Sequence, residues 1–182
     1  MLAEVAGRLR RYTDAENLLA RCLELAPGFS AARQNYALVL HRQNKPGPAL
    51  AELDRLLATD PRNPSLRNLK AAVLGSIGEY PAAIDLYAGL VAEYPAQPKV
   101  WMSYGHSLKT AGRTADSIGA YRRAVELQPG LGEAWWSLAN LKTFRFSAAD
   151  VALIRTQLAR TDLGDDDRLH FGFALGKALE DE

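Results

Sequence analysis

Apolar positions along the chain recur at helical spacing in blocks, and the blocks stop at evenly placed prolines. Pro27, Pro61, Pro95 and Pro129 are each 34 residues apart, and each follows a helix-like run: CLELAP, LLATDP, LVAEYP, AVELQP. Proline cannot continue a helix, so each marks the end of one. With the proline counted as position 32, the other features keep the same register. Position 8 is Ala3, Ala37, Ala71 and Gly105; position 20 is Ala15, Ala49, Ala83 and Ser117. Position 24 is Leu19, Leu53, Tyr87 and Tyr121, and position 27 is Cys22, Leu56, Leu90 and Ala124. Small residues at 8 and 20 let two antiparallel helices approach closely. Larger apolar residues at 24 and 27 fill the space between one helix pair and the next. Asn44, Gly78 and Gly112 fall at a fixed mid-repeat offset and predict the turn between the two helices.

A helix-turn-helix unit of 34 residues with this small, large and proline pattern resembles the tetratricopeptide repeat. The resemblance runs from the start of the chain to about Gly130, with complete units at Ser30–Asn63, Pro64–Gln97 and Pro98–Leu131. It implies an all-α fold, a right-handed superhelical solenoid of antiparallel helix pairs, with each pair burying its apolar face against its neighbours. Position 4, usually Trp in the family, is Trp101 and Trp135 but Arg33 and Arg67 elsewhere, which predicts weaker local packing at the arginines.

The two ends depart from the pattern. Met1 is expected to lie already within a first helix, with the second helix over about Thr13–Ala26. Residues 132–143 begin a fifth unit, with Trp135, Leu138 and Ala139 in register. Beyond it, Ser147 with Asp150 three residues on predicts a capped helix. Asp165–Asp167 place carboxylates at the start of a last helix, Asp166–Glu182, where they favour its dipole. In that helix Leu175, Gly176 and Leu179 take positions 7, 8 and 11 of a further first helix. The expected organisation is therefore a repeat array over residues 1–146 and divergent helices over 147–182. Both ends read as cut from a longer protein. Leu169, Phe171, Phe173, Leu175 and Leu179 put apolar residues on more than one face of the last helix, which predicts self-association through an uncovered stripe.

The stretch WWSLANLKTFRFS, followed by a loop and LHFGFALGKALEDE, resembles the junction in bacterial proteins that join tetratricopeptide repeats to a sulfotransferase domain. That family's catalytic domain uses an activated sulfate nucleotide held by a phosphate-cradling loop. None of that domain is present among these residues, so the resemblance carries over no catalytic residue and no cofactor.

Composition narrows the function classes. Basic and acidic residues number 22 and 21, a net charge of +1, without the basic excess typical of a nucleic-acid-binding domain. No run approaches the roughly 18 apolar residues of a membrane span. The start, Met1-Leu2-Ala3-Glu4, lacks the basic-then-apolar pattern of a signal peptide. A single cysteine, Cys22, excludes an internal disulfide and fits a reducing, cytoplasmic setting. His41, His106 and His170 are far apart and have no companion at metal-ligand spacing. The DLGDDD run lacks the spacing and distal glutamate of a calcium loop, so helix capping is the simpler reading. The glycines fall at turns and packing positions, so no phosphate loop is present. No enzyme activity is expected of this chain.

Binding is expected instead on the first helices, which line the concave face of such solenoids. The first-helix windows 30–44, 64–78, 98–112 and 132–145 hold Arg33, Arg42, Arg67, Lys70, Lys99, Lys109, Lys142 and Arg145 against one acid, Glu133. They carry +7 of a whole-chain +1, leaving −6 for the rest. A basic groove of this kind steers acidic partner segments, although Arg33, Arg67 and Lys70 sit at packing positions from which long side chains reach elsewhere. The residues expected in the groove are Gln34, Leu38, His41, Arg42, Asn68, Ala72, Lys99, Met102, His106, Lys109, Trp136 and Asn140. Trp136, at position 5, either anchors a partner or is folded over by the last unit. Position 5 (Gln34, Asn68, Met102, Trp136) and position 9 (Leu38, Ala72, His106, Asn140) do not reproduce the Lys/Asn/Arg set of chaperone-tail adaptors, nor an asparagine ladder. The partner is thus a protein or peptide of acidic character.

Overall fold

A computed structural model describes residues 11–181. Among them the chain is all-helical: α1 (Tyr12–Leu25), α2 (Ser30–Arg42), α3 (Pro46–Thr59), α4 (Pro64–Ser76), α5 (Tyr80–Glu93), α6 (Pro98–Thr110), α7 (Thr114–Leu127), α8 (Gly132–Ala139), α9 (Ala148–Leu158) and α10 (Asp165–Glu180). The expectation that Met1 starts within a helix, and the position-8 role of Ala3, lie outside the described residues. The chain divides into two compact units, before and after the Leu86–Tyr87 bond. Residues 147–181 pack with α6, α7 and α8 in the second unit.

The caps explain the punctuation of the sequence. Proline opens α3, α4 and α6, where its missing N–H is not needed. The Asn63 side chain accepts from the N–H groups of Ser65 and Leu66 at 3.1 and 3.2 Å. Each mid-repeat turn is a left-handed cap, with φ of 57° at Asn44, 86° at Gly78 and 78° at Gly112. In each, the next N–H reaches back five residues: Lys45 to Leu40, Glu79 to Leu74 and Arg113 to Leu108, at 2.9–3.0 Å. Gly, or Asn in its place, is what this conformation tolerates.

In the first unit, Ala15, Ala37, Ala49, Ala71 and Ala83 are fully buried where helices meet, and Leu53 and Leu56 fill the space between pairs. Arg33 changes the expectation for position 4. Its guanidinium donates to the Pro27 carbonyl at 2.6 Å and pairs with Glu52. Trp101 and Trp135 make the same reach, donating from Nε1 to the carbonyls of Pro95 and Pro129 at 2.9 Å. Arg33 therefore keeps the link from position 4 to the preceding proline, with an ion pair in place of ring packing.

In the second unit, Gly105 exists because Tyr121 leaves no room: a Cβ there would stand 2.6 Å from the ring. Here α8 stops after eight residues, shorter than the other first helices. The chain turns at Asn140 so that Leu141 and Phe144 enter the core. Phe144 meets Phe146 edge-on at 5.0 Å and carries the Arg122 guanidinium 4.8 Å from its centroid. Arg122 also forks onto Asp150, while Ser147 and Asp150 form the expected capping box on α9. The last helix docks closely on α8. Asp167 Oδ1 accepts from the Gly132 N–H at 2.9 Å, and a Cβ at Gly132 would meet the Asp167 carbonyl at 2.7 Å. The acidic run thus contributes a cap to a neighbouring helix as well as charge at its own N-terminus.

Leu56 and Leu90 are 5% and 1% exposed, one in each unit. Truncating either to alanine leaves a cavity and should cost roughly 2–5 kcal/mol in urea unfolding. A loss below about half a kcal/mol at both sites would contradict the register.

Candidate functional site

In the first unit the expected binding face lies on α2 and α4. Leu38 and Arg42 are exposed on α2, with Gln34 and His41 half-buried between them. Burial, and then the neighbouring Arg42 charge, lower the His41 pKa. On α4, Asn68 and Ala72 are half-buried, and the Asn68 Oδ1 is buried without a hydrogen-bond partner.

In the second unit the face lies on α6 and α8. Lys99 and Lys109 are exposed at either end of α6, and Trp136 and Asn140 are exposed on α8. His106 lies between these helices: its Nδ1 is 2.9 Å from the Tyr121 hydroxyl and its Nε2 is 3.9 Å from Glu133. Burial lowers the His106 pKa against the opposing pull of Glu133, and burial pushes the Tyr121 phenol up to about 12. Met102 departs from expectation. It is 9% exposed, and packs in the core with Tyr121 and Trp135 because a flexible thioether fills the gap between α6 and α8. It offers little contact surface.

The basic character of the first helices is also smaller than the sequence count. Arg33 pairs with Glu52, Lys70 with Asp54 at 2.6 Å, and Arg145 with Asp181. Arg67 is engaged as well. Arg42, Lys99, Lys109 and Lys142 are exposed and have no ion pair to another described residue.

One surface is larger than the sequence reading expected. A groove of about 750 Å³ lies between α8 and α10, with Trp136 and Asn140 on one wall and Leu169 and Phe173 on the other. Trp136 is 38% exposed and its ring is 5.7 Å from His170, so α10 covers it in part and leaves the rest open. Leu169 and Phe173 are each 60% exposed. The signal for them was present: Gly176 as position 8 puts Phe173 at position 5, level with Trp136 one unit earlier. Among the described residues no cluster of three metal-ligating side chains occurs, and no helix is long and apolar enough to cross a membrane.

Comparison with known proteins agrees with this architecture. Two tetratricopeptide repeat family models match residues 8–73 and 98–131. The small glutamine-rich tetratricopeptide repeat-containing protein 2 of Mycosarcoma maydis is 28% identical over 83 residues, 46% of this chain. The match spans 24% of that protein's length. Among solved structures, a crystal structure of MamA has a TM-score of 0.67 at 16% identity, covering 99% of this chain and 94% of that one. MamA 41-end from Desulfovibrio magneticus RS-1 has a TM-score of 0.68 at 17% identity, covering 98% and 90%. At these identities the likeness is one of fold. Residues 8–73 and 98–131, more than half of the chain, belong to the tetratricopeptide repeat family of protein–protein interaction scaffolds.

Proposed function

We propose that this chain binds an acidic, aromatic-containing segment of a partner protein on the exposed faces of its first helices. The observation that carries the reading is made in each unit by itself: Arg42 in the first, and Lys99 and Lys109 in the second, are exposed and without an ion pair to another described residue, while Arg33, Lys70 and Arg145 are held by carboxylates of the chain itself. Unpaired exposed cations attract an acidic segment at long range and raise its association rate. Trp136, 38% exposed, adds an aromatic surface for short-range contact. Amide chemical shifts in the presence of a ten-residue Asp/Glu-rich peptide carrying one phenylalanine test this. The shifts should move in α2, α6 and α8 and stay in place in α1, α3 and α7. Changes confined to the second helices would overturn it.

A second reading is that the array is the accessory, substrate-presenting part of a bacterial sulfotransferase. It is supported by the packing of the residues that carry that resemblance: the Trp135 ring meets Phe146 at 6.1 Å and Phe171 at 6.3 Å, so the motif forms one block. Sequencing the parent gene beyond residue 182 tests it. A sulfotransferase domain there would support the reading, and its absence would end it.

A further inference from the structure

The exposed side of α10 reads as charge, apolar, apolar, opposite charge in either direction. At four-residue spacing, one turn above another, stand Asp165, Leu169, Phe173 and Lys177, an anion and a cation enclosing two bulky apolar groups. Residues four apart share a helix face. Leu169 and Phe173 are each 60% exposed, and all four line the open groove beside Trp136. Beside this row runs a second with the opposite polarity: Arg168, Gly172, Gly176 and Glu180. A Cβ added at Gly172 or Gly176 would meet nothing within 4 Å, so a neighbouring backbone can approach there. The ends of the helix are charged in the same sense. Asp165–Asp167 lie in its first turn, and near its last turn Lys177 and Arg145 share the single carboxylate of Asp181.

We propose that the occupant of this face is a second copy of the chain, with the two α10 helices antiparallel about a twofold axis. A twofold interface uses the same patch on both subunits and must be self-complementary. The row provides that. In the antiparallel pair Asp165 faces Lys177 of the second copy at both ends, where Lys177 also holds Asp181 of its own chain, and Leu169 faces Phe173 twice in the middle. The glycines of the adjoining row leave room for the axes to close. A parallel pairing would set Asp165 against Asp165 and Lys177 against Lys177, which disfavours it. Trp136 borders both surfaces, but α10 carries none of the cations invoked for the acidic segment, so either proposal can fail without the other.

Sedimentation equilibrium of the 182-residue chain from about 5 to 200 µM tests the pairing. A reversible dimer is expected. Asp165→Lys and Lys177→Glu should each weaken it by about tenfold, since each replaces two attractive exposed pairs with two repulsive ones. Mixing the two variants should restore it, because their heterodimer again pairs opposite charges at both ends. Phe173→Glu, with circular dichroism unchanged, should leave a monomer. A monomer throughout the concentration range would overturn the proposal, as would open-ended oligomers or a dimer indifferent to the reversals and to their mixing.

Discussion

Trp135→Ala should remove roughly 3–5 kcal/mol of stability, the range for a fully buried aromatic that leaves a cavity. Trp135 is 1% exposed, and its ring meets Phe146 from the turn after α8 and Phe171 from α10. Its Nε1 also donates to the Pro129 carbonyl. The side chain therefore joins three parts of the second unit, and amide exchange in α10 should rise along with the loss in urea stability. The neighbouring residue is the control. Trp136 is 38% exposed, so Trp136→Ala should cost less than about 1 kcal/mol. Equal costs at the two tryptophans would contradict the assignment of one to the core and the other to the surface.

Acid should weaken the second unit through Asp150. Burial pushes its carboxyl up, but the Arg122 fork and the bonds from Ser147 outweigh that and hold its pKa down at about 2, against a usual value of 3.8. A lowered folded-state pKa stabilises the fold above the unfolded pKa, and that contribution is lost as pH falls from about 4 through about 2. The difference is on the order of 2 kcal/mol. Asp150→Asn should be less stable at pH 6, because it leaves Arg122 without its charge partner. It should also lose less further stability between pH 6 and pH 2. Urea midpoints at the two pH values check this. An acid loss of the same size in the variant would place the sensitive group elsewhere.

Much of this was legible in the sequence because it depends on local rules repeated in register. The 34-residue proline spacing, the small residues at positions 8 and 20, and Asn44, Gly78 and Gly112 at the turns each state a backbone requirement that a single residue type meets. The capping box at Ser147 and Asp150 is local in the same way. What could not be read there depends on partners distant in sequence. Arg33 replaces tryptophan because Glu52 lies across from it on α3. Met102 is buried in the core that also holds Trp135 and Tyr121. The helix α8 ends early, and Leu141 and Phe144 beyond it enter the core. The count of eight cations on the first helices overstated the basic surface for the same reason, since Glu52, Asp54 and Asp181 come from other elements to pair with three of them. The open α8–α10 face was the reverse case. Its register was available once Gly176 was placed at position 8, but the size of the groove appears only when α10 is docked.

Partner recognition by exposed cations on the first helices is tested most directly by the salt dependence of peptide binding. Fluorescence anisotropy would follow a labelled Asp/Glu-rich ten-residue peptide with one phenylalanine, and its Lys-rich counterpart, from about 50 to 500 mM salt. Exposed charges are screened over about 8 Å near physiological ionic strength. The acidic peptide should therefore bind more tightly than the basic one and weaken steadily as salt rises. Reversing Arg42, Lys99 and Lys109 together to glutamate should abolish both the preference and the slope while leaving the helical circular dichroism unchanged. Binding of the acidic peptide that survives the triple reversal with the same salt slope would contradict the account.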